Sequence, residues 1–441
     1  MADSDAARLL RIPPPIHSNR CPGSFPGSIL LDPYGYLSAR TNGTTAEGST
    51  KDGKRILVTF WAATPPRVSC FTVFCPDWKP FALGDLPAVL CSDDDLVLLH
   101  VPICREDHRL LADVDHYFVY QAGTKNKPPS LELIPTIPGP PHDISLSDSE
   151  VVLLRCHSQG DSFYFLAVLL RVFGCYPYND DLFALHLYSS KTGKWSTRSP
   201  MRVDSPNKDF RYSYTSTVLA IGGELGSVGF VDLWRGILIC DLLIDSHSLR
   251  YIPLPPPLVP KPPKGYPPYI RNIILLEGYI KFFEMRYLAG RRAARSNGTG
   301  CTCATTEGGW VAATKKMKIS DIGSGNDWED DCAFKFSEIP VDSPKHAQML
   351  SNLKHATADT KLSLRRLHAG YPALSLHDSD VVYIMHISDP DNDKASLVAV
   401  DMRNKTIKDV ADFGFGRPLG YTYTYLQSGI SKHLSIWSSS W

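Results

Sequence analysis

The sequence predicts an all-β chain: a β-propeller of about six blades with one or two short helices and long loops, with two packed β-domains as the alternative. Three observations carry this expectation. Short runs rich in Val, Ile, Leu, Phe and Tyr recur along the 441 residues, bounded by Asp, Ser, Gly and Pro. Their lengths suit strands, and helical periodicity is almost absent. A loose internal repeat follows the apolar runs.

Taken in order, the strand runs are Ile56 to Ala62, Val68 to Phe74, Asp95 to Val101, Tyr117 to Ala122, Val151 to Cys156 and Leu182 to Tyr188. They continue with Gly236 to Leu243, Tyr279 to Met285, Trp310 to Ile319, Val381 to Ile387 and Ser396 to Met402. The one helix candidate is Ser343 to Ala356, where Ser343 is placed to cap, Pro344 takes the first position, and Met349, Leu350 and Leu353 share a face.

The repeat pairs one apolar run with the next. Tyr117-Phe-Val-Tyr120 leads to Leu131-Glu-Leu-Ile-Pro135, and Leu185-His-Leu-Tyr188 leads through Lys191-Thr-Gly193 to Trp195. Ile237-Leu-Ile-Cys-Asp241 leads to Leu249-Arg-Tyr-Ile-Pro253, and Ala399-Val-Asp401 to Asn404-Lys405 and a further apolar run. Such a unit leaves an apolar face open and must stack on copies of itself. The expected organisation is a flexible tail over 1–27 and one propeller-like domain over 28–441, with loops at 255–268 and 290–309.

Composition sets limits on function. Hydrophobic residues at 43% and charged residues at 21% are ordinary globular usage, enough for a sizeable core. Lys and Arg (46) balance Asp and Glu (46), so no net field draws the chain to nucleic acid or a membrane surface. The first twenty residues carry Asp3 and Asp5 and lack an apolar signal core, and the run from Phe163 to Leu170 is too short to span a bilayer. A cytoplasmic or nuclear protein is expected, not secreted and without a transmembrane segment. Eleven scattered cysteines then read as reduced thiols, and the sequons at Asn42, Asn297 and Asn404 as idle.

No catalytic motif stands out, and no cofactor or metal is expected. The glycines of Ile221-Gly-Gly-Glu-Leu-Gly-Ser-Val-Gly229 precede a strand instead of opening a helix, which makes them a hairpin and not a phosphate cradle. Asp389, Asp391 and Asp393 alternate as in a calcium loop, but Lys394 stands where glycine is needed and Val400 where glutamate is needed. His100, Cys104 and His108 lack a fourth zinc ligand with recognisable spacing. Cys301 and Cys303 lie in a loop. The acidic runs Asp93-Asp94-Asp95, Asp180-Asp181 and Glu329-Asp330-Asp331 read as turn residues or as dispersed catalytic acids. Arg291, Arg292, Arg295, Lys315, Lys316 and Lys318 read as solvated surface or phosphate contacts, and the proline tract as an inter-blade loop or a polyproline ligand. The most distinctive run is Asp232-Leu-Trp-Arg-Gly236, placed on a strand, where Trp234 and Arg235 combine the two side chains most used as binding anchors. Core packing of Trp234 is the competing reading.

Several runs together resemble the domain-of-unknown-function family 1618, a plant family expanded in grasses. They are Ser28 to Asp32, Ala63 to Ser69, Leu185 to Trp195, Gly226 to Gly236, Leu249 to Pro255, Ser375 to Asp378 and Gly420 to Ser431. The resemblance is clearest over 182–441, and it implies no assigned activity, substrate or cofactor. Gly236 to Pro253 is also similar to blades of F-box-associated propeller domains. The leading functional expectation is a noncatalytic scaffold that binds another protein. The alternatives are a hydrolase or lyase with dispersed acids at a propeller channel, and an RNA-binding module.

Overall fold

A computed structural model describes residues 8–15, 27–77, 83, 85–103, 114–139, 144–147, 149–158, 160–172, 182–204, 210–259, 265–288, 308–322, 328–350, 363–364, 367–389, 394–413 and 425–434. The chain divides into two compact units, Met1–Leu254 with Gly414–Trp441, and Pro255–Phe413. The architecture is all-β. Every strand run read from the sequence is a strand, within three residues at the ends.

The first unit opens with β1 (Ile29–Leu31), β2 (Tyr36–Leu37), β3 (Ala46–Ser49), β4 (Arg55–Trp61) and β5 (Val68–Phe74). They form the sheet β1-β5-β4-β3, with β2 beside β5. Next comes a four-stranded antiparallel meander, β6 (Ala88–Asp93), β7 (Leu96–Ile103), β8 (Val114–Gln121) and β9 (Ser130–Ile134). A second meander runs β10 (Val151–Ser158), β11 (Asp161–Arg171), β12 (Leu182–Ser189) and β13 (Lys194–Val203). A third runs β14 (Thr217–Gly222), β15 (Ser227–Asp232), β16 (Gly236–Asp241) and β17 (Ser248–Pro253). Its last strand pairs in parallel with β13, Arg202 opposite Ser248, which joins the two meanders into eight strands.

Alternation along each strand explains the stacking. On β7, Leu96 and Leu98 face the core shared with β10 and β11, while Val97, Leu99 and Val101 face the core shared with β4 and β5. On β10, Val151 and Leu153 face back toward β7, whereas Val152 and Leu154 face the third meander. Because successive side chains point to opposite faces, a sheet covered on both sides must be apolar at every position. This is why residues 151–154 read as one unbroken hydrophobic run, which stops at Arg155, the partner of Asp95.

The second unit holds two more meanders. One is β18 (Arg271–Leu276), β19 (Tyr279–Leu288), β20 (Gly309–Lys318) and β21 (Glu329–Lys335). The other is β22 (Ala369–Leu374), β23 (Val381–Asp389), β24 (Lys394–Asp401) and β25 (Thr406–Phe413). The chain then returns to the first unit as β26 (Leu426–Ser428), antiparallel to β1 with Ile29 opposite Ser428. The repeat seen in the sequence is the pairing of the third and fourth strands of a meander: β8 with β9, β12 with β13, β16 with β17 and β24 with β25.

Three expectations change. The stretch 1–27, expected to be a tail, contributes Leu9 and Leu10 to the first unit's core at 2% and 3% exposure, where they join Ile430 and Leu434. Two adjacent leucines hold enough apolar surface to dock a short segment even without a strand pattern. The helix expected from Ser343 spans only Pro344–Met349 (α1), and Ser343 makes no side-chain cap hydrogen bond. A second helix, Ser431–Leu434 (α2), follows β26. The third change concerns Trp234. β15 ends at Asp232, so Trp234 and Arg235 sit in the hairpin turn and not on the strand.

Candidate interaction site

The run Asp232 to Gly236 is the turn between β15 and β16, and a buried carboxylate shapes it. Asp232 is 0% exposed. Its Oδ1 accepts the Trp234 N–H at 2.9 Å, the local bond by which an aspartate imitates a backbone turn. Its Oδ2 accepts the Ser213 N–H at 2.9 Å and the Arg235 guanidinium at 3.1 Å. Three donors on one carboxylate satisfy a charge that would otherwise be costly to bury.

The Ser213 bond ties in a second segment, residues 210–216, which leads into β14. Leu233 N–H reaches Ser216 Oγ at 3.3 Å, and Ser216 N–H reaches Val231 O at 2.7 Å. Tyr251 on β17 completes the frame, its hydroxyl lying 3.1 Å from Arg235 O and 3.3 Å from Arg211 O. Burial raises the Tyr251 phenol, as does the Asp232 charge, against the opposing effect of Arg211 and Arg235. Gly236 makes the approach possible, since a Cβ there would meet the Tyr251 ring at 2.3 Å. Phe210 packs edge-on against Tyr251 with ring centres 4.9 Å apart, and Arg171 donates to Tyr212 O while lying over the Phe183 ring.

The result is a hydrogen-bonded loop pair that presents polar and aromatic side chains outward. Trp234 is half-buried, the Arg235 side chain 35% exposed, Tyr214 45% exposed and Arg211 exposed. Trp234 is thus neither core nor fully free. The sequence singles out Asp232, Trp234 and Arg235 as candidates; Arg211, Ser213 and Tyr251, which lie about 20 residues to either side of the hairpin, are joined to it only by long-range bonds, and Tyr214 follows Ser213.

The other motifs fall elsewhere. The glycine run 221–229 is the β14–β15 hairpin. Asp93, Asp94 and Asp95 form the β6–β7 turn: Asp93 Oδ2 accepts the Arg155 N–H at 2.7 Å, Asp94 lies 2.8 Å from His433 Nε2, and Asp95 pairs with Arg155. Burial pushes the Asp93 carboxyl up to about 6. His100 pairs with Asp115 at 2.7 Å. Glu329, Asp330 and Asp331 belong to a strand and not a turn, and Asp330 and Asp331 bind Lys315 and Lys281. Lys318 ends β20. Cys104, His108, Asp180, Asp181, Arg291, Arg292, Arg295, Cys301, Cys303, Asp391, Asp393 and part of the proline tract lie outside the described residues. Among the described residues no group of three or more His, Cys, Asp or Glu is placed to hold a metal ion, and no helix is long and apolar enough to cross a membrane.

Comparison with known proteins adds one family. No curated protein matches the chain. A solved structure of a Synechocystis apocarotenoid oxygenase variant is similar at 11% identity and a TM-score of 0.27, covering 92% of this chain and 94% of that one. Residues 230–383, which begin two residues before Asp232 and take in this hairpin, match the model of a family described as a protein of unknown function, DUF1618.

Proposed function

We propose that this protein is a noncatalytic protein-interaction scaffold whose four-stranded meanders act as blades of a propeller of about six, with the Asp232 hairpin as a binding site. The observation that carries this reading is the fully buried Asp232 carboxylate, which spends three hydrogen bonds on fixing a surface turn. A hairpin needs no such device to close. Fixing it does ensure that Trp234 and Arg235 meet a partner in one conformation, which lowers the ordering cost of binding. The pairing of β1 with β26, strands from opposite ends of the chain, supports the closed-ring architecture. Cytoplasmic or nuclear residence and a protein partner belong to the same proposal.

Trp234→Ala tests it. Partners captured by proximity labelling in native tissue are expected to drop away for the variant while its melting temperature stays within a few degrees of the parent. A large fall in melting temperature with unchanged labelling overturns the reading.

A further inference from the structure

We infer that the Asp232 hairpin docks an acidic segment of a partner protein, with Arg211 and Arg235 as the anion contacts and Trp234 and Tyr214 as the flanking apolar anchors. The inference rests on the reading of this hairpin as an interaction site and names the chemistry of its partner.

Charge decides the partner class. Asp232 is buried and engaged by three donors, so it offsets a single cation, Arg235. Arg171 lies near Tyr212, where Glu150 also exerts its charge, so these two cancel at the edge of the site. Arg211 is exposed, and among the described residues its guanidinium has no ion pair, its carbonyl being engaged by the Tyr251 hydroxyl. Among the described residues, two guanidinium groups against one occupied carboxylate leave an unmatched positive charge on the loops that carry the exposed Tyr214 and the half-buried Trp234.

Geometry concentrates that charge. The Tyr251 hydroxyl lies within hydrogen-bond distance of both the Arg211 and the Arg235 carbonyl, so the two arginines leave the fold from adjacent backbone positions. A guanidinium carries five N–H donors in a fixed fork. Arg235 directs one nitrogen at Asp232, and with its side chain 35% exposed the fork still reaches solvent. Forked donors of this kind suit carboxylates, which they grip through two parallel bonds. Arg, Trp and Tyr are also the residue types that carry most interface energy.

The same facts argue against RNA. A nucleic-acid track needs cations spaced along a groove, and a chain of 46 basic and 46 acidic residues supplies no long-range attraction beyond this local pair.

The test uses the full chain and a fluorescein-labelled oligoglutamate peptide, with binding read by fluorescence anisotropy at low and physiological salt. Saturable binding is expected, weakened roughly tenfold by Arg211→Glu and by a similar factor on raising the salt. Arg211 is exposed, so that variant is expected to melt as the parent does; Arg235→Gln provides a second variant that keeps a donor toward Asp232. No binding, binding indifferent to both variants, or tighter binding of a labelled oligouridylate overturns the inference. If partner capture depends on Trp234 while the oligoglutamate fails, the acidic class is wrong and the interaction site stands. If neither depends on the hairpin, both fall.

Discussion

Asp232 and Arg235 form an ion pair across the β15–β16 turn, Oδ2 to Nη1 at 3.1 Å, in which the acid is fully buried and the base reaches solvent. The two partners are therefore unequal. Removing Arg235 leaves Asp232 with two backbone donors, while removing Asp232 leaves the Ser213 and Trp234 N–H groups without their acceptor.

Asp232→Ala is accordingly expected to cost about 3 kcal/mol of unfolding free energy, since two part-buried backbone donors lose their acceptor and a cavity opens where a fully buried side chain stood. Arg235→Gln is expected to cost about 1 kcal/mol or less, as for a half-exposed pair. Urea unfolding at constant m-value checks the ordering. An Asp232→Ala variant as stable as Arg235→Gln would show that the carboxylate does not organise the turn.

In the second unit Lys281 Nζ lies 2.8 Å from Asp331 Oδ2, with side chains 6% and 8% exposed. Lys281 also donates to Ser379 O, whereas Asp331 has Thr314 at 3.0 Å and Lys316 and Arg403 at 3.8 Å. Burial alone would raise the Asp331 carboxyl, but Lys281, Thr314 and Lys316 hold it below the usual range. Asp331→Leu strands a buried ammonium near two further cations, while Lys281→Met leaves an acid that still has two cations nearby. The first is expected to cost about 3–5 kcal/mol, the second less, and the double variant to recover most of the loss. A double-mutant cycle measures this; equal single costs would contradict the asymmetry.

The strands are readable because stacked sheets bury both faces, which makes residues 151–154 of β10 and 163–170 of β11 continuous apolar runs. Two other strands are harder to read. β14 (TVLAIG) is largely half-buried, and β22 (AGYPAL) has an irregular register between Gly370 and Ala373, so neither shows a clean pattern. The Trp234 turn carries its own local signal, Asp232 at its start and Gly236 at its end, but the apolar residues Val231, Leu233 and Trp234 continue the strand pattern across it, so the Asp232 bond that makes the turn is outweighed in a strand reading. Ser213 and Tyr251, which complete the site, act through long-range bonds that no local window reveals.

His386 on β23 is 2% exposed, accepts the His368 N–H at 3.2 Å through Nδ1, and has no partner at Nε2 among the described residues. Burial, together with the nearby His368 charge, lowers its pKa to about 4 from 6.5, against the opposing effect of the His368 N–H. As pH falls from 6.5 toward 4 the unfolded chain takes up this proton first, so stability is present above 6.5 and is lost across that window, by about 3 kcal/mol at most. His386→Gln is expected to flatten the stability profile between these values by about one proton's slope. An unchanged profile would assign the acid sensitivity to other groups.

Asp93 has the opposite sign. Burial, and then the Asp94 and Asp95 charges, raise its carboxyl from 3.8 to about 6, against the Arg155 N–H bond and the Arg155 charge, which lower it. Between these values the folded state holds a proton that the unfolded state has released, so stability falls as pH rises from 3.8 through 6. Above that the chain keeps a buried carboxylate at a cost of about 3 kcal/mol or less. Asp93→Asn keeps an oxygen to accept the Arg155 N–H and removes the charge. The variant is expected to be more stable than the parent at pH 7.5 by about 1–3 kcal/mol and nearly equal to it at pH 4, in urea melts at the two values. This also bears on the rival reading of the chain as a hydrolase or lyase with dispersed acids. A raised acid retained at a loss of stability is the pattern of a catalytic group, so stabilisation at pH 7.5 keeps that rival alive and calls for substrate profiling of both proteins. Destabilisation at pH 7.5 would show that the ionised Asp93 supports the β6–β7 turn and would remove the main physical argument for catalysis at this place in the fold.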